Sequence, residues 1–436
     1  MKKVFIFLAV ITILGFTVEE RWTRLSPGGT APAGRCGSAS VYDSLTDRFI
    51  VWGGAYSGGV FNDLFALDST AYGSGTWRQL NPSGTVPGGR YYPAYVYDYP
   101  RRRMVIFGGF NRSQYFNDVH FLDSINNPSP RWTQPAVGGT PPSPRYACGS
   151  AYDPIKERMI VFGGGTTGGG DNLVFVLENL NSIPVWRQLN PAGSPPPGKH
   201  GPTCIYDFRN DRLLVFAGYP HSNDVWALDS LQYGDGRWSQ WSPGGSLPPA
   251  RNGAISFLDR WNDRMVIFGG WNGSQFFNDL YSLDGISSSP SWTQLSPSGT
   301  TPSPRWAPSG ALDGLRRRYF VFGGIGSGYF NDVFTLTWGL PVAEEMATSL
   351  NKRIIINPNP FHRQLSIRSS GFDLSRCLIL IYDAQGRLVR RLSYNNKALI
   401  TWDGRDAKGS NLPSGTYFIS LNTGKDKIIE RVVKIR

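Results

Sequence analysis

The chain has few charges, few cysteines and no long apolar run. Of 436 residues only 17% are charged, and there are four Cys, four His and five Met. Four cysteines (Cys36, Cys148, Cys204 and Cys377) in a chain this size make no disulfide framework, so the fold must rest on an extended core. A Cys148–Cys204 bridge would join neighbouring repeats; the other expectation is buried free thiols. The longest apolar stretch, Val4–Phe16, falls short of the roughly 18 residues that a membrane helix needs, which excludes a multispanning protein. There is no Gly at every third position and no sustained heptad, so collagen and coiled coil are excluded. Aromatics at 14% exclude a disordered chain. No G-x-S-x-G, H-E-x-x-H or P-loop is present, so no catalytic residue, cofactor or metal is expected. What the chain does have is 52 Gly, 32 Pro, 14 Trp, 20 Tyr and 25 Phe. That composition describes a turn-rich, all-β protein long enough for two domains.

Lys2 and Lys3 precede the apolar run, and a polar break follows at Thr17–Glu20. This layout is that of an export signal over residues 1–17. No transmembrane anchor is expected.

One unit then repeats six times. Its anchor is a basic residue closing a Pro/Gly segment: Arg35, Arg90, Arg145, Lys199, Arg251 and Arg305, spaced by 55, 55, 54, 52 and 54 residues. An Asp follows eight residues on (Asp43, Asp98, Asp153, Asp207, Asp259, Asp313) and an Arg thirteen on (Arg48, Arg103, Arg158, Arg212, Arg264, Arg318). A Gly pair comes next, replaced by Ala217–Gly218 in the fourth unit. Asn-Asp then precedes an apolar strand, and a Trp closes the unit (Trp77, Trp132, Trp186, Trp238, Trp292).

Each unit reads as four strands. The first is made of small residues, as suits strands crowded around an axis. The Asp opens a turn, for which its side chain is favoured. The second strand is an unbroken apolar run such as RMVIF, the pattern of a strand buried on both faces. Six four-stranded sheets around an axis make a β-propeller over residues 21–338. The sixth unit lacks its W-x-x-L, and a spare one stands at Trp22–Leu25. The N-terminal segment is therefore expected to supply the outer strand of the last blade and close the ring. The order of anchor, Asp, Arg, apolar strand, Gly-Gly, Asn-Asp and Trp resembles the kelch repeat. Kelch propellers serve many functions, so the resemblance implies the fold and leaves the function open.

After Trp338 the pattern stops. Residues 339–352 read as a linker. Residues 350–436 carry a net charge of +10 out of +12 for the whole chain, while residues 4–349 balance at zero. The propeller is therefore not expected to bind nucleic acid. Residues 353–436 hold alternating strands separated by turn signals, as in a small Ig-like β-sandwich. NPNPF, IYDAQGRLVRRL, TWDGRDAKGSNLPSGTYFISL and the terminal VVKIR resemble the C-terminal sorting domains of the type IX secretion system. The resemblance implies passage across an outer membrane, a secretion machinery as partner, and a location at the cell surface or outside the cell. A plain Ig-like spacer is the alternative.

A residue present in all six units serves the blade, so function is sought where the repeat varies. The kelch resemblance implies that the loop before the first strand and the loop after the Gly pair emerge on one face. The residues after the anchors, Tyr91, Tyr146, His200, Asn252 and Trp306, differ in character, as does Tyr92. With His221 and the anchors Arg35, Arg90, Arg145, Lys199, Arg251 and Arg305 at its edge, they make an aromatic mouth. The aromatic before Asn-Asp (Phe61, Phe116, Phe277, Phe330) recurs and reads as loop packing. Aromatic platforms edged by guanidinium groups suit a sugar ring or a peptide loop. Unit four, with Lys199 for Arg, a shortened loop, His200 and His221, is the most irregular, and Asp171 is expected nearby. The expected function is therefore an exported binding protein for an extracellular glycan or protein. The rival is a carbohydrate-active kelch enzyme of the oxidase or sialic-acid epimerase type, with its site at the mouth.

Overall fold

A computed structural model describes residues 20–71, 73–338, 353–357, 360–370, 378–384, 387–392, 400–422 and 427–435. The expected signal segment, the linker and Cys377 lie outside these residues. The chain divides into two compact units, residues 1–339 and 340–436.

The first unit is a six-bladed propeller. The innermost strands are Ala39–Asp43, Ala94–Asp98, Gly149–Asp153, Thr203–Asp207, Ile255–Asp259 and Ser309–Asp313. Each pairs antiparallel with the apolar strand after it, and two more antiparallel strands complete the sheet. The apolar strands are shielded on both faces, with Phe49, Ile50, Val51 and Trp52 all fully buried. In five blades a two-residue strand from the connecting segment pairs in parallel with the outermost strand, covering an edge that would otherwise be open to another chain.

Arg21–Leu25 pairs antiparallel with Val333–Thr337 along its whole length, so the N-terminal strand completes the sixth blade. Trp22 is 1% exposed. It packs on Phe268 of the fifth blade with ring centroids 5.0 Å apart. The contact recurs around the ring: the closing Trp of one blade meets the aromatic that ends the apolar strand of the blade before it. The pairs are Trp77 on Phe322, Trp132 on Trp52, Trp186 on Phe107, Trp238 on Phe162 and Trp292 on Phe216. The closing Trp is thus an inter-blade wedge.

The Asp–Arg pair spaced by five residues forms within five blades, as in Arg158 Nε to Asp153 Oδ2 at 2.9 Å. The first blade departs from it. Arg48 Nε donates to Asp68 at 2.6 Å, and Asp43 accepts from Thr46 and from Arg102 of the second blade.

Blades also join through a closed circle of backbone hydrogen bonds around the axis. The second residue after each anchor donates its N–H to the carbonyl of its counterpart: Gly37 to Ala307, Ala307 to Gly253, Gly253 to Gly201, Gly201 to Ala147, Ala147 to Tyr92 and Tyr92 to Gly37. All six distances lie between 2.7 and 2.9 Å. Each of these residues has φ between 50° and 65°. Left-handed backbone disfavours a Cβ, which explains the three Gly, while Ala147 and Ala307 hold the same conformation with the smallest side chain that has one. Tyr92 is the exception.

The second unit is a β-sandwich. Arg353–Asn357, Leu365–Ser370 and Ile400–Trp402 form one sheet. Leu388–Leu392, Leu378–Asp383, Gly415–Asn422 and Lys427–Lys434 form the other. Ile367 and Trp402 of the first meet Ile379, Ile381, Ile419 and Val432 of the second in one core, joined by Phe361 of the NPNPF segment.

Trp22→Ala would remove the wedge that seals the sixth blade against the fifth. Its expected cost is about 3–5 kcal/mol in the propeller transition, the range for a buried Trp truncated to Ala, measured by urea denaturation of the full chain. A loss below about 0.5 kcal/mol, the size of a surface effect, would contradict closure by this strand.

Candidate functional site at the anchor face

The anchors lie inside the propeller. Arg35, Arg90, Arg145, Arg251 and Arg305 are at most 1% exposed, and Lys199 is 2% exposed. Arg35 shows the pattern. Nε donates to Ala33 O at 3.0 Å, Nη1 to Gly53 O at 3.0 Å, and Nη1 and Nη2 grip the two oxygens of Asp63 at 2.5 and 3.0 Å. Arg90, Arg251 and Arg305 do the same with Asp118, Asp279 and Asp332. Arg145 pairs with Asp171, and Lys199 with Asp224. A buried cation needs a carboxylate and filled donors, and the fork of Arg fits both. The aromatic before Asn-Asp covers this pair, with the guanidinium carbon of Arg90 3.8 Å from the ring centre of Phe116. Expected at the edge of the mouth, the anchors are withheld from it by this pairing; their six copies mark them as parts of the blade.

The anchor also sets the backbone around it. Its carbonyl accepts from the second Gly of the preceding blade's pair, as Arg90 O does from Gly54 N at 2.9 Å. A Cβ on Gly53 would come 2.9 Å from that same oxygen, and on Gly108 it would come 2.6 Å from Arg145 O. This close approach is what the Gly pair permits. The residue after the anchor then bridges the residue after the Gly pair: Tyr91 with Phe110, Tyr146 with Gly165, His200 with Tyr219, Asn252 with Trp271, and Trp306 with Ile325. Sequence variation is therefore concentrated at two adjoining positions per blade, around the axis.

The side chains there form a circle of rings. Tyr92, Tyr146, His200, Tyr219, His221, Trp271 and Trp306 touch in that order and return to Tyr92, with centroid separations from 4.8 to 6.2 Å. Tyr91 adjoins both Tyr92 and Tyr146. Tyr92 fills the axis where the other blades have Gly or Ala, and its hydroxyl is buried without a partner. Burial pushes its ionisation well above the ordinary phenol range. Asn252 meets the circle through its backbone bridge to Trp271, and the residue is buried. Tyr219 and Trp271 belong to the circle and are invisible to the anchor pattern; the signal for them is their place directly after the glycine pair.

His200 and His221 come together through Tyr219, and burial, aided by His221, lowers the ionisation of His200 from its ordinary value. Asp171 does not join them, because Arg145 holds it at 3.1 Å. Among the described residues no group of three or more His, Cys, Asp or Glu is placed to hold a metal ion. Below the amide circle the axis opens into a cavity of about 200 Å³, lined by Ser38, Ser150, Thr203, Cys148 and Cys204. Cys36, Cys148 and Cys204 are free thiols.

A closed six-bladed ring, with a buried cation at the same place in every blade and a face that varies between blades, defines a repeat propeller. The KLHDC2/KLHL20/DRC7 Kelch-repeats domain matches residues 10–164 and 150–348, and the chain belongs to this kelch-repeat family. A Secretion system C-terminal sorting domain matches residues 355–435, which implies export by the type IX route to the cell surface or beyond. Putative adagio-like protein 2 of Oryza sativa subsp. japonica is 29% identical over 328 residues, 70% of this chain and 49% of that protein. Tip elongation aberrant protein 1 of Schizosaccharomyces pombe (strain 972 / ATCC 24843) is 33% identical over 221 residues, covering 47% of this chain and 18% of that protein. The Rab9 effector protein with kelch motifs of Xenopus laevis is 28% identical over 190 residues, 41% of this chain and 49% of that protein. The chain spans about half the length, or less, of these relatives.

Asp118 tests the structural role of the anchor pair. Burial works to raise its ionisation, but hydrogen bonds from His120 and Arg90 prevail and hold it at about 2, against an ordinary 3.8. Its stabilisation is complete above pH 3.8 and is lost as pH falls through about 2. Allowing for partial exposure, Asp118→Asn should cost about 1–2 kcal/mol at pH 7. The difference from the parent should shrink towards pH 2, as read from urea midpoints at both pH values.

Proposed function

We propose that this chain is an exported binding protein that captures an extracellular glycan on the aromatic circle of its anchor face and performs no chemistry there. The circle itself supports this reading: seven rings surround the axis while six cations next to them are neutralised inside the blades. A face of Tyr, Trp and His offers π surface and edge hydrogen bonds. The C–H faces of uncharged sugar rings fit such a surface, and the energy comes from stacking and apolar burial. A protein loop is the other candidate ligand of the same face. The C-terminal sandwich would then address the passenger to the secretion machinery and take no part in binding.

A second reading has one observation in its favour. His200 Nδ1 and His221 Nε2 are buried without a partner, and an imidazole is the side chain suited to proton transfer near neutral pH. On that reading the mouth belongs to a carbohydrate-active enzyme.

A glycan array probed with the purified full chain separates the readings. Retention of uncharged oligosaccharides, weakened about tenfold or more by Trp271→Ala or Tyr219→Ala, is expected from the loss of one stacking platform. Retention of peptides alone would replace the glycan by a protein ligand. Turnover of a retained sugar that His200→Ala abolishes would establish the enzyme instead.

Removal of residues 353–436 should leave the propeller folded but confined to the periplasm, as read by fractionation with a Tm measurement on the truncated protein. Undiminished release to the surface or medium would contradict the sorting role.

A further inference from the structure

At the end of the axis opposite the aromatic circle, the propeller opens into a hollow of about 760 Å³. Its floor is a waist formed by Tyr95 and Tyr319, which also line the small axial cavity above. Its wall comes from the inner strands and from the turns that follow the repeated Asp. Tyr42, Tyr152 and Tyr206 line it, yet their hydroxyls are taken by Asp47, Asp98 and Asp211. What these residues offer the hollow is ring surface.

The rim is apolar as well. Leu45, Tyr99, Ile155 and Leu315, from the first, second, third and sixth blades, line the hollow and are 71%, 54%, 55% and 59% exposed. Each lies at a turn position that tolerates polar residues, and Tyr99 also packs on the rings of Tyr97 and Tyr152. Among the residues lining the hollow Arg260 alone is charged. Among the described residues no carboxylate pairs with it. Its guanidinium lies 4.5 Å from the ring centre of Trp261, and Arg317 flanks the same ring at 5.3 Å. The Asp residues of these turns are already committed to Arg, Thr, Asn and backbone partners inside the blades.

We infer that this hollow is a second binding site, distinct from the aromatic circle, and that it takes a small apolar organic anion. Its aromatic or aliphatic body would lie among the tyrosine and leucine surfaces, with a single carboxylate or sulfonate facing Arg260. The volume lies in the range of small-molecule sites, about 300–1,000 Å³. The apolar lining supplies the driving force by burial, and one unpaired cation at the margin fixes sign and orientation. The positive charge selects against apolar cations, and the apolar wall against small hydrophilic anions.

The probe is 8-anilinonaphthalene-1-sulfonate, titrated by fluorescence into the full chain, with decanoate as competitor. Saturable one-to-one binding, displaced by decanoate, is expected. Arg260→Gln should weaken it about tenfold, the effect of losing one charge-assisted contact, while binding of neutral N-phenyl-1-naphthylamine changes little. Ile155→Asp, at an exposed turn where folding is not at stake, should abolish both. Trp271→Ala on the other face should leave both unchanged, which keeps this site separate from the glycan reading. Three results would overturn the inference: no saturable binding, equal affinity of the Arg260→Gln variant for the sulfonate, or binding lost in Trp271→Ala but kept in Ile155→Asp. Binding of acidic peptides that neither small probe displaces would likewise replace the small anion by a protein partner.

Discussion

Each blade turns on a buried cation gripped by a carboxylate from the loop after the Gly pair, such as Arg35 with Asp63. Desolvating a charge is costly, and removing one partner of such a pair leaves the other uncompensated. The pair therefore fixes where the backbone of the anchor lies. From that position its carbonyl meets the Gly pair of the preceding blade, the next residue bridges the loop after its own Gly pair, and the one after that enters the amide circle. Six repetitions of this local arrangement generate a ring with no free edge at the axis. The same pairing takes charge out of the mouth, and the character of the face is left to the variable rings.

The axis that results is layered. Rings stand at the anchor face, six backbone hydrogen bonds lie beneath them, and a small cavity of hydroxyls and thiols follows. Tyr95 and Tyr319 make the waist, and the wide apolar hollow forms the other end. The two ends are chemically unlike: one is a circle of aromatic rings, the other an apolar hollow with Arg260 at its margin. A single ring of blades can thus present two unrelated surfaces, because each is made by loops that the blade core does not constrain.

Much of the fold was legible in the sequence because blade contacts repeat. The spacing of anchor, Asp and Arg defined the strands, and the stray W-x-x-L at Trp22 identified the closing strand. The first blade was read less well: Arg48 turns to Asp68 because Arg102 of the next blade takes Asp43, an exchange that no spacing shows. At the mouth, Tyr91, Tyr92, Tyr146, His200, His221 and Trp306 were found by their variability. The anchors recur in six copies, the mark of a structural role, and their burial and pairing agree with that mark. Tyr219 and Trp271 escaped because the position after the Gly pair holds Ala55, Phe110, Gly165 and Ile325 elsewhere; only the bridge to the anchor side reveals it as part of the mouth. The hollow was illegible for a similar reason, since Leu45, Ile155 and Leu315 read merely as turn residues until six turns converge.

The account depends most on the claim that the ring is closed, with the seam between the sixth and first blades as tight as any other. Native-state amide hydrogen exchange at Gly37, Tyr92, Ala147, Gly201, Gly253 and Ala307 tests this directly, because each amide donates one bond of the axial circle. A closed ring predicts that all six exchange only through global unfolding, with a common protection free energy. Contradiction would come from Gly37, whose bond to Ala307 crosses the seam, exchanging orders of magnitude faster than the other five.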